Sequence, residues 1–125
     1  MLLGKTALAI SSIAFISYGL ISLISPAIPA GFAGLTMNNG DAFAEIGAMY
    51  GGLQTGCGLF CALALFKPEF YRSGLMLLIL GIGGVALARF TALMMVQDPV
   101  TSYTYGALAF EIVIGTAALI ALLKK

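Results

Sequence analysis

The chain has 125 residues, 61% of them hydrophobic and 9% charged, with a net charge of +1 and a mean hydropathy of +1.07. A soluble domain is about a quarter charged, so this composition excludes one and points to an integral membrane protein, short enough to be a single domain. So small a positive charge cannot neutralise a run of phosphates, which excludes nucleic acid as a partner. With no histidine, the commonest metal ligand and general base is absent.

The first apolar run, Leu3 to Ile24, stops at the prolines of "SPAIPAG". A cleaved signal peptide is the alternative, with Lys5 as its positive region. The apolar core exceeds the roughly 7–15 residues of such signals, so the run is read as a retained helix. The connection "SPAIPAGFAGLTMNNGD" reads as an interfacial loop in which Phe32, Leu35 and Met37 either sit in the interface or fold back over the bundle mouth. "NNGD" forms a turn, with Asp41 placed to cap the next helix.

The second run, Ala42 to Phe66, is closed by Lys67, Pro68 and Glu69. The third, Ser73 to Val96, ends at "QDP", and the fourth, Ser102 to Leu123, finishes in Lys124 and Lys125. Each can cross a bilayer, which takes roughly 20 helical residues. Short connections make successive helices antiparallel neighbours, so the expected fold is an all-α membrane protein, an up-and-down bundle of four transmembrane helices.

Lys5, Lys67, Arg72, Lys124 and Lys125 cluster at the two termini and the second connection, while the first and third connections carry only Asp41 and Asp98. By the positive-inside rule both termini are cytoplasmic, and the location is a cell inner membrane. Cys57 and Cys61 lie within an apolar run. As metal ligands they would need partners the chain lacks, so they read as small apolar residues, and no metal or cofactor is expected.

Glycine is frequent inside these helices. Gly51 and Gly58 fall on one stripe of the second helix, with Thr55 and Ala62; Gly52 and Gly56 fall on another with Ala48. The third helix offers Gly81 and Gly84 with Ala88 and Ala92, and the fourth offers Gly115 with Ala118. In lipid, small residues pack helices by letting backbones approach closely, so these are expected as helix-packing positions.

Three ionisable groups remain inside the apolar runs. On antiparallel helices Arg89 lies ~10 Å and Glu111 ~13 Å from the outer ends, with Glu45 shallower at ~5 Å. An ionised group at mid-membrane costs about 2.5–3.5 kcal/mol even on the lenient insertion scale, so pairing is expected. The expected cluster is Glu45, Arg89 and Glu111, with Tyr50, Gln54 and Tyr105 supplying hydrogen bonds. It serves either as a structural lock between helices or as a ligand-facing site.

At these residues the sequence resembles a known family. "EIGAMYGGLQTGCGLF" followed by "GGVALARFTALM" is similar to the bacterial membrane proteins grouped as domain of unknown function 4345. Glu45, Tyr50, Gly51, Gly52, Gly56, Gly58 and Arg89 match the family pattern over about residues 41 to 115. The arginine that often follows the glutamate two positions later in the family is replaced by Gly47, which leaves Arg89 as the intramembrane cation. The resemblance implies no activity. A fainter likeness, of architecture alone, is to small four-helix membrane families linked to quinone or redox complexes.

Three functions fit. The first is binding of a lipid, quinone or similar amphiphile at the outer polar cluster. The second is an accessory or assembly subunit that docks on a larger membrane complex or on its own copies. The third is an acid/base enzyme on a hydrophobic substrate, with Glu45 or Glu111 as the acid or base. Lacking a histidine or a nucleophile constellation, the third is the least supported, so an enzyme is not the favoured reading.

Overall fold

The computed structural model describes residues 1–124. Among them the regular structure is all helical. Four helices are long and apolar enough to cross a membrane: α1 (Leu2–Ile24), α3 (Gly40–Phe66), α4 (Pro68–Met95) and α5 (Ser102–Leu123). A short helix, α2 (Ala27–Ala33), lies between the first two.

The ends follow from local chemistry. Lys67 is extended at φ −115° and ψ 107°, because a residue before proline is driven out of the helical region, and α3 stops there. Asn39 is the N-cap of α3, its side chain accepting a 2.9 Å bond from the Ala42 backbone N–H. Asp41, expected to be the cap, instead sits in the first turn, where its charge complements the helix dipole. Thr101 caps α5 through the Tyr103 N–H at 3.3 Å.

α2 forms where a loop was expected. Pro26 precedes it in helical geometry at φ −58°, which pre-organises the first turn. Gly34 closes it at φ +72°, a left-handed conformation that glycine adopts without steric cost. The Leu35 N–H reaches back to the Ala30 carbonyl at 2.8 Å, which completes that closure.

Within α3, Gly47–Leu53 is a π-helical segment, and within α4 so is Leu78–Ile82. Such wide turns are rare and occur mostly as short bulges within α-helices.

The chain groups into two compact units. In the unit Ala9–Leu63, α1 and α3 run antiparallel through glycine notches. A Cβ at Gly58 would stand 2.7 Å from Ile16 Cγ1 and 2.8 Å from its backbone N, one at Gly51 would stand 3.0 Å from Leu23 Cα, and one at Gly19 would stand 2.7 Å from Thr55 N. Thr55 donates its hydroxyl to the Gly51 carbonyl at 2.6 Å. Gly51 and Gly58 are therefore contact positions. At Gly52 and Gly56 a Cβ would meet nothing within 4 Å, so they are not notches of this packing. Each lies one residue along from a position that meets α1, Gly51 or Thr55, and that step around the helix takes both off the α1 face.

The other unit comprises Met1–Leu8 and Ala64–Lys125. Leu8, Leu75, Leu78 and Ala118 are fully buried. Gly74 is covered by Ala64 and by Leu8, whose Cδ2 would lie 3.0 Å from an added Cβ, and the Tyr71 hydroxyl sits over Gly4. α4 and α5 run antiparallel, with Gly115 set against the Gly83 backbone. Gly84 faces open space, and a Cβ at Gly81 would meet only Leu77 of its own helix. The close approach expected of those two belongs to their neighbour Gly83.

Candidate functional site

Arg89 stands six residues before the end of α4, and Glu111 nine residues after the start of α5. Antiparallel packing brings them level. Arg89 Nε donates to Glu111 Oε1 at 2.9 Å and Nη2 donates to Oε2 at 3.0 Å. This is the bidentate fork-to-fork arrangement, the geometry in which a guanidinium binds a carboxylate most strongly. The side chains are 28% and 14% exposed, so most of the pair is shielded within the protein. Each charge therefore depends on the other.

Beside the pair, a groove of about 350 Å³ runs between α4 and α5. Ile79, Gly83, Leu87 and Phe90 form its α4 wall; Glu111, Gly115, Thr116 and Leu119 form its α5 wall. Its size lies at the low end of small-molecule sites. The lack of side chains at Gly83 and Gly115 contributes to its hollow. Glu111 is the charged residue of the lining, so one carboxylate belongs both to the ion pair and to the groove.

The other expected members are placed as follows. Tyr105 is 56% exposed and lies six residues before Glu111, about 240° around α5, so it faces away from the pair. Glu45, Tyr50 and Gln54 belong to the unit Ala9–Leu63. Glu45 is exposed, while Tyr50, within the π-helical segment, and Gln54, just after it, are half-buried. Four residues apart, Tyr50 and Gln54 share one side of α3.

Sequence reasoning missed Gly83 and the apolar walls of the groove. In "GIGGV" three glycines crowd four positions, and periodicity alone does not say which one faces α5. The π-helical segment just before Gly83 shifts the helical phase, which makes that choice less legible still. Among the described residues, no three His, Cys, Asp or Glu side chains are grouped so as to hold a metal ion.

Four apolar spans, with an ion pair sheltered between two of them, define an all-helical integral membrane protein. The chain belongs to the family described as Domain of unknown function (DUF4345), whose profile matches residues 3–122. The match extends beyond the central segment that carried the resemblance and covers nearly the whole chain. Comparison with curated proteins and with solved structures gives no match.

Proposed function

We propose that the protein binds a membrane amphiphile, such as a lipid or a quinone, with its polar head at Glu111–Arg89 and its apolar tail along the α4–α5 groove. The observation that carries this reading is the double role of Glu111, which both pairs with Arg89 and lines the groove. An ion pair serving only to lock two helices needs no adjoining hollow. The distribution of basic residues supports cytoplasmic termini in an inner membrane, with the pair in the outer half of the bilayer.

The test is retention of lipid. The protein should carry a bound amphiphile through extraction into polymer-bounded bilayer discs, detectable by mass spectrometry above the bulk lipid. Thr116→Trp, which places an indole in the groove from an exposed position, should lose it while the fold persists. Equal retention by both proteins would overturn the proposal.

A second reading, association with other membrane helices, has its own observation. Gly52 and Gly56 are spaced as in a GxxxG pair, and a Cβ at either would meet open space. In lipid such a face accepts a helix from another copy or another subunit.

A further inference from the structure

Which amphiphile the groove would take depends on what its walls present, and this step rests on the binding reading above. Arg89 is absent from the lining and its Nε and Nη2 are turned onto Glu111. The charge facing the hollow is therefore the carboxylate. Each of its oxygens accepts one bond from Arg89, and a carboxylate has about four lone-pair sites, so about two remain for a donor. Because Arg89 already matches that charge, the pair offers an anionic head no net attraction, and a head with acceptors alone would find no partner in Glu111.

Depth narrows the choice further. Glu111 lies about 13 Å inside the start of α5, whereas a phosphate headgroup belongs at the membrane surface. From Ile79 to Phe90 the groove is about 16 Å long. With about 350 Å³ of space, it fits one chain rather than two.

We infer that the groove selects a single-chain amphiphile whose small, uncharged head donates a hydrogen bond to Glu111: an aliphatic alcohol or a hydroquinone, admitted sideways from the bilayer. The corresponding ether, quinone or phosphate is disfavoured. Hydrogen bonds to a charged acceptor are strong enough to favour the donor head by about tenfold or more.

The experiment uses the full chain in phosphatidylcholine nanodiscs, with empty nanodiscs as the background for partitioning. Radiolabelled 1-dodecanol, dodecyl hydroquinone, dodecyl methyl ether and dodecyl phosphate share one tail and differ in the head. Saturable binding of the alcohol, the hydroquinone or both, at least tenfold tighter than the ether and the phosphate, supports the inference. The tighter of the two donors identifies the head class. In the double variant Arg89→Met, Glu111→Leu, the preference for donors should vanish. Saturable binding in which ether or phosphate matches the donors would overturn the head selection and leave groove binding standing. Absence of saturable binding for all four would overturn both. The panel on the unmodified chain decides by itself, so a poorly folding variant does not rescue the idea.

Discussion

The guanidinium of Arg89 and the carboxylate of Glu111 meet through two parallel hydrogen bonds of 2.9 and 3.0 Å across the α4–α5 contact. Removing Arg89 takes away both bonds that the Glu111 carboxylate accepts from it. Arg89→Met alone should therefore destabilise the protein by roughly 3 kcal/mol, while Arg89→Met with Glu111→Leu should recover most of that loss. Unfolding in a mild detergent measures both. A single variant as stable as the parent would show that the pair contributes nothing to holding α4 against α5.

The glycine notches make a sharper contrast than their spacing suggests. Gly19→Ala forces a Cβ to within 2.7 Å of the Thr55 backbone N and should cost about 1–3 kcal/mol through overpacking. Gly52→Ala meets open space and should be neutral or stabilise by up to about 1 kcal/mol, because alanine favours the helix. Thermal unfolding of the two variants side by side tests this, and similar losses at both positions would contradict the packing described.

Gly52 and Gly56 serve a different test. Replacing either by leucine should leave the fold unchanged yet weaken any association with other copies, because the new side chain blocks close approach. Chemical cross-linking in native membranes reads this out. An unchanged cross-linking pattern would remove the second functional reading.

Capping of α3 separates two neighbouring residues. Asn39→Ala removes the acceptor of the Ala42 N–H and should cost about 1 kcal/mol. Asp41→Asn removes only an exposed charge in the first turn and should cost only about 0.3 kcal/mol. Amide exchange at the start of α3 should rise for the first variant and barely change for the second.

Topology can be read chemically. In a chain with Cys57→Ala and Cys61→Ala, a cysteine placed at Asn38 or Asp98 should react with an impermeant thiol reagent in intact cells. Reaction only after permeabilisation would invert the orientation argued from the basic residues.

The four spans, their approximate bounds and the breaks between them are legible in the sequence, because membrane burial acts on composition over some twenty residues at a time. The pairing of Arg89 with Glu111 was also within reach: both charges had to find partners, and antiparallel connections set their depths. Helical phase lay beyond it. Tyr105 and Glu111 differ by six residues, and Gly51 and Gly52 by one, yet each pair faces different surroundings. A rotation of about 100° per residue decides such matters, and the π-helical turns before Gln54 and Gly83 shift that rotation without a plain sequence signal. The groove beside Glu111 belongs to the same class of fact. Gly83, Phe90, Gly115 and Leu119 wall it together, an arrangement that only the packing of α4 on α5 selects.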